Sequence, residues 1–194
     1  RAIWLNEGEL VEDGPSQDVV ASYLNLHVTQ HRERVWHEPA AAPGNGVIRL
    51  HRVWVKSEDV SNDSQLIKRE APISIGVEYW QLDSKEQIHI TLHVYTEQQI
   101  IAFTTASSQD PEWEKLSPTK GLVRSVCQIP ANFLNTGQHY INLLVIKNRS
   151  RAIYTLENAL SFEVVETAER VGWFGKEPGV VRPALDWHSQ VLES

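Results

Sequence analysis

Two runs of this chain place rings and hydrogen-bonding groups on one side of a strand. From Pro72 to Gln81, apolar Ile73, Ile75, Val77 and Tyr79 alternate with Ser74, Gly76, Glu78 and Trp80. From Gln87 to Thr96, Ile88, Ile90, Leu92 and Val94 alternate with His89, Thr91, His93 and Tyr95. Successive strand residues point to opposite faces, so each run carries one apolar face and one polar, ring-bearing face. The stretch Leu82–Glu86 reads as a hairpin loop between them. Pairing about Asp83–Ser84 would set Glu78 opposite His89 and Ser74 opposite His93. A further strand, His139–Lys147, can add Tyr140 and Asn142. The resulting set is Glu78, Trp80, His89, Thr91, His93, Tyr95, Tyr140 and Asn142. Its chemistry suits sugars, whose C–H faces stack on rings and whose hydroxyls need donors and acceptors. A plain solvated sheet face, polar because its other side is the core, gives the same alternation.

Other chemistries fare worse. His89 and His93 stand four residues apart on a strand, ~13 Å, too far to share one metal. His27 and His31 have helical i, i+4 spacing, but two ligands are too few, even with His37 and Glu38 nearby, so no metal and no cofactor are expected. No G-x-x-x-x-G-K-[ST], G-x-S-x-G or H-E-x-x-H occurs. Glu78, Glu97, Asp110 or Glu112 could supply paired carboxylates for glycoside hydrolysis, yet among 25 acidic residues such pairs are cheap to find. An enzyme is therefore not expected. The net charge of −7 disfavours nucleic acid as a partner. The apolar stretches fall short of the ~18 residues a membrane span needs. Cys127, the single cysteine, reads as a small core residue. Trp36, Trp54 and Trp113 could stack sugars or fill gaps in packing, and core or linker packing is the favoured reading.

Four segments position these residues. Residues 1–24 form a strand–turn–strand–helix unit, with Ser16 as N-cap and Val19, Val20, Tyr23 and Leu24 on one helical face. Residues 25–46 read as a linker ending in Pro39-Ala-Ala-Ala-Pro43-Gly44-Asn45-Gly46. Residues 47–168 hold about seven strands: 47–55, 72–81, 87–96, 99–105, 122–129, 139–147 and 159–165. That pattern predicts an all-β fold, an immunoglobulin-like antiparallel β-sandwich with a jelly-roll-like arrangement as alternative. Residues 169–194 form a tail in which Gly175, Pro178-Gly179 and Pro183 forbid a long helix. Its Trp173, Phe174, Val180, Val181, Leu185 and Trp187 are apolar enough to require a surface, either the tail's own sandwich or a second copy of the chain. Arg182 could pair with an acidic group on a ligand or with Asp186, and the favoured reading is that it pairs with Asp186 and holds the tail's shape.

Three stretches carry a family resemblance. The ending of the first unit runs Leu5-Asn6-Glu7-Gly8 and then Val19–Leu24. The body carries Ile129-Pro130, then Leu134-Asn135-Thr136-Gly137-Gln138-His139-Tyr140, and later Phe162-Glu163-Val164. The closing motif is Gly179-Val180-Val181-Arg182-Pro183-Ala184-Leu185-Asp186-Trp187. Together they resemble the Wzt-type ATP-binding subunit of ABC transporters that export O-antigen or related polysaccharide. The match falls on the last remnant of the ATPase domain (1–24) and the appended carbohydrate-binding domain. The resemblance implies a non-catalytic domain that recognises the finished glycan in the cytoplasm, peripheral to the inner membrane. It also implies a homodimer, and a membrane permease subunit reached through the ATPase domain. The second reading is an assembly module that only dimerises.

Overall fold

The computed structural model describes residues 1–6, 8–25, 31–58, 67–83, 87–113, 120–167 and 177–192. The expected positions of His27, Trp173, Phe174 and Gly175, and the loop residues 84–86, lie outside them. The first unit is a hairpin of β1 (Ala2–Asn6) and β2 (Glu9–Gly14) followed by α1 (Ser16–Asn25). Among the described side chains of this unit Trp4 and Val19 are buried, and the Tyr23 ring meets Trp4 edge-on at 5.7 Å.

The remainder is built on β3 (Glu33–Val35), β4 (Ile48–Ser57), β5 (Ile67–Lys68), β6 (Ile73–Gln81), β7 (Ile88–Thr96), β8 (Ile101–Ala106), β9 (Gly121–Ile129), β10 (Gly137–Lys147) and β11 (Arg151–Val165). One sheet has the order β3-β4-β6-β9 and the other β5-β11-β10-β7-β8. All these pairs are antiparallel except β5 with β11. The apolar phases foreseen for β6 and β7 are both buried. Ile73, Ile75, Val77 and Tyr79 meet Ile88, Ile90, Leu92 and Val94 in a core that β4, β10 and β11 extend. The two sheets thus close on each other as an all-β sandwich.

The expected β6–β7 hairpin is not formed. β6 pairs with β4 and β9, whereas β7 pairs with β10 and β8. Both strands are central, and the connection between them crosses from one sheet to the other. Their apolar faces meet across the core, so their polar faces point to opposite outsides of the molecule. The segment read as a linker is also more structured than expected. Its residues 33–35 form the edge strand β3 on β4. Just before it, Ser161 on β11 donates its backbone N–H to the His31 carbonyl, and the Ser161 hydroxyl accepts from the His31 N–H. The segment therefore ties the edge strand β3 of one sheet to β11 of the other.

The tail docks in cis as far as Ala184. Val181 bridges Leu134, and the N–H groups of Arg182 and Ala184 donate to the carbonyls of Phe133 and Asn132. The Asn135 side-chain amide donates to the carbonyls of Glu177 and Gly179. Arg182 does not pair with Asp186. Its guanidinium instead spans Glu166 (3.1 Å) and Glu177 (2.6 Å). Beyond Ala184 the chain leaves the sandwich, and Trp187 is 87% exposed.

Candidate functional site: the outer face of the four-stranded sheet

The eight residues expected to form one site divide between the two outer faces. Glu78 and Trp80 lie on the four-stranded sheet; His89, Thr91, His93, Tyr95, Tyr140 and Asn142 lie on the five-stranded sheet. The second group is partly consumed by structure. His89 is buried under Trp113, whose ring stands edge-on at 5.5 Å. Burial, reinforced by the charge of Arg149, holds the His89 pKa below the usual histidine range. Tyr140 is buried as well, and that burial, with the nearby Glu97 charge, pushes its hydroxyl up to about 12. Asn142 lies opposite the register shift in β11, where its Oδ1 accepts the Asn158 N–H at 2.8 Å. Thr91, His93 and Tyr95 remain partly accessible, with the His93 and Tyr95 rings 6.3 Å apart.

The first group acquires partners that alternation alone did not assign to it. The register aligns Arg52, Glu78 and Arg124 in one row, Trp54, Gly76 and Val126 in the next, and Arg49, Trp80 and Leu122 in a third. Glycine at 76 matters here. A Cβ at that position would lie 1.9, 2.2 and 2.3 Å from three atoms of the Trp54 indole. Three near-equal distances mean that the ring lies flat on the Gly76 backbone. The Arg52 guanidinium sits 4.8 Å from the Trp54 ring centre and that of Arg124 at 6.0 Å, within cation–π range.

Glu78 is the electrostatic centre of this face. Its side chain is only 6% exposed, and its Oε1 accepts from Arg124 Nε at 2.7 Å and Nη2 at 2.6 Å. A charge-assisted pair of this kind satisfies a carboxylate that burial alone would penalise. His51 reaches the same group through a bulge. Two residues, His51 and Arg52, oppose the single Glu78 where the β4 register shifts. His51 Nε2 stands 3.8 Å from Glu78 Oε2, its ring packs 4.5 Å from that of Trp80, and its Nδ1 bonds the Trp36 carbonyl at 3.0 Å. Leu122 and Val126 on β9 are exposed beside these rings. The face therefore combines two indoles, a fixed carboxylate and two guanidinium groups. It offers ring surface for sugar C–H groups, with acceptors and donors for hydroxyls.

His51, Arg52 and Arg124 are not among the residues expected from the sequence, and Trp54 is there only as the less favoured of two readings. Trp54 read as packing, although it does pack, on Gly76, from the solvent side. The available signal was the consecutive polar pair His51-Arg52 inside Ile48–Val55, which breaks strict alternation and marks a bulge. Trp113 is packing, as expected, with its indole N–H donated to the Ile88 carbonyl. Among the described residues, no three His, Cys, Asp or Glu side chains converge as a metal site, and no helix is long and apolar enough to cross a membrane.

A two-sheet β-sandwich with a ring-bearing sheet face is the class this fold and site define. No known family model and no curated protein matches the chain. Among solved structures, the chain is similar to the C-terminal domain of Wzt, with a TM-score of 0.55 at 10% identity, covering 91% of this chain and all of that one. A Niemann-Pick type C2 protein from Japanese carpenter ant aligns at a TM-score of 0.42 and 12% identity, over 64% of this chain and 97% of that one. The first similarity gives the fold: the chain shares the architecture of the Wzt C-terminal domain.

Proposed function

We propose that this chain is a non-catalytic carbohydrate-binding domain of a polysaccharide-exporting ABC transporter's ATP-binding subunit. The glycan lies on the outer face of the four-stranded sheet. The observation that carries this reading is Trp54 laid flat on Gly76 beside Trp80, with Glu78 held between Arg124 and His51. Support from the fold comes from its likeness to the Wzt C-terminal domain. The sugar rests on the Trp80 ring and against the stacked Arg52–Trp54 pair, and its hydroxyls pair with Arg52 and Arg124, which Glu33 and Glu78 hold in place. The first unit is the ending of the ATPase domain. Its exposed Ile3, Leu5, Leu10 and Val11 suit a surface packed against the rest of that domain. ATP hydrolysis and the permease contact belong to that domain, and recognition takes place on the cytoplasmic side.

Titration of the chain with the export-ready polysaccharide, followed by tryptophan fluorescence and NMR shifts, tests this. A saturable response is expected, and Trp80→Ala should weaken it about tenfold, or ~1.4 kcal/mol. No response at millimolar glycan, with the fold intact, would favour the second reading, an assembly module. That reading draws on Leu185, Trp187, Val191 and Leu192, all exposed at the end of the tail.

A further inference from the structure

The sandwich is open along one side. β8 ends one sheet and β9 ends the other, and these two edges are not bonded to each other. Their inward-facing residues explain the gap. Register with the central strands turns Ser125 and Cys127 inward beside Val77 and Ile75, and turns Thr105 inward beside Leu92. At the neighbouring inward positions stand the larger Val123 and Phe103, which pack against the core, as the smaller Cys127 also does. Three small side chains where a sandwich usually places large aliphatic ones leave a cleft of about 330 Å³. Its floor is Ile75, Val77, Ile90 and Leu92, all inner-face residues of the central strands. Its mouth carries Ser107 and Gln109, with the Thr105 hydroxyl donating to Gln109 Oε1 at 3.0 Å.

We propose that this cleft is a binding site for the alkyl chain of an uncharged single-chain amphiphile. Size sets the chain. At roughly 30 Å³ per water-sized group, the volume takes about eleven such groups, the bulk of a medium-length alkyl chain. The floor offers aliphatic contact and no polar partner, which a sugar would need. Charge sets the head group. The mouth presents hydroxyls and an amide, and Asp110 beside them repels an anionic head. Arg124 also lines the cleft, with its guanidinium bonded to Glu78, and its positive charge offsets that of Asp110, so the mouth favours neither an anionic nor a cationic head. Packing gives the apolar floor a reason to be covered, because Ile75, Val77, Ile90 and Leu92 left facing an empty cleft forfeit contacts that an alkyl chain restores, while the polar groups lie nearer the mouth. Arg124 and Val126 border both this cleft and the outer sheet face, but the floor of the cleft lies on the inner side, and the proposal does not depend on the glycan reading.

Cys127 supplies a reporter, since it is the single thiol of the chain and lines the cleft. Its alkylation by iodoacetamide is followed by mass on the intact chain, with increasing 1-decanol. Occupancy predicts a slowing that saturates at about fivefold or more. Ser125→Leu fills the cleft and should abolish the dependence on decanol. A rate indifferent to decanol, or the same slowing in Ser125→Leu, overturns the proposal. Methyl NMR on the unsubstituted chain gives an answer that needs no variant. Decanol-induced shifts centred on Ile75, Val77, Ile90 and Leu92 support the site; no shifts, or shifts centred elsewhere, overturn it.

Discussion

Gly76 is the residue on which the outer-face site turns. The Trp54 indole occupies the space a Cβ would need, with ring atoms as near as 1.9 Å. Gly76→Ala must therefore lift the ring, because the β6 backbone is held by β4 and β9 on both sides. A stability loss of about 1–3 kcal/mol is expected, of the size overpacking costs. Urea denaturation reads the loss, and glycan affinity should fall with it. Unchanged stability would mean that the indole does not rest there. A second residue-scale prediction concerns pH. His89 is buried with its Nδ1 unpartnered, and burial lowers its folded pKa below the ordinary value of 6.5. The unfolded chain therefore takes up a proton before the folded one does. The stability attached to His89 is complete above its unfolded pKa, and it is lost as pH falls from there toward the lower folded pKa. The slope of this single group is at most ~1.4 kcal/mol per pH unit. His89→Leu should reduce the decline of Tm between neutral and mildly acidic pH. If both chains lose Tm in parallel, another group governs the acid limb.

At the scale of elements, the tail clamp is the most exposed to test. Arg182 Nη1 lies 3.1 and 3.2 Å from the two Glu166 oxygens, and Arg69 Nη2 donates to the Arg182 carbonyl at 2.9 Å. Arg182→Met keeps the aliphatic stem and removes the charge. Glu166, 14% exposed, then keeps Arg69 at 3.7 Å. The local cost is about 1–3 kcal/mol, below that of a fully buried pair because water reaches part of this one. Proteolysis within residues 177–192 should accelerate well before global unfolding changes; an unchanged cleavage rate would place the hold on the tail in Asn135 instead. Element-scale legibility was uneven for a physical reason. Alternation reports which side of a strand is apolar, so Ile73–Tyr79 and Ile88–Val94 were assigned to the core correctly. It says nothing about which strand lies alongside, because a hairpin and a cross-over between sheets bury the same alternating residues. Glu78 and His89 were therefore set opposite each other although they lie on opposite outer faces. The bulge at His51-Arg52 was legible only as a defect in the pattern, and Gly76 beneath Trp54 only in three dimensions.

For the whole molecule, the unsettled balance is at the C-terminal end of the described chain. Residues 177–184 are held in cis, but Leu185, Trp187, Val191 and Leu192 are 69%, 87%, 84% and 81% exposed. Each such side chain is worth ~1.5–3 kcal/mol when removed from water. In a two-fold pair every contact occurs twice, so eight side chains are buried together. Their sum, above roughly 12 kcal/mol, meets an association cost of about 4–15 kcal/mol. The two ranges overlap, so burial of the tail can drive pairing, and the concentration range to search for a dimer that dissociates on dilution is the micromolar one. Sedimentation equilibrium across that range should show the dimer for this chain and a monomer for one cut after Ala184, with the sandwich intact in both. Trp187→Ala should shift the equilibrium toward monomer by about tenfold or more, since a tryptophan is the largest apolar surface in the tail. A cut chain that dimerises as strongly as the uncut one would move the interface off the tail, and the first candidate would then be the exposed Leu122 and Val126 edge of β9. That outcome would also bear on glycan recognition, because a partner lying on β9 would cover the ground beside Trp54 and Trp80.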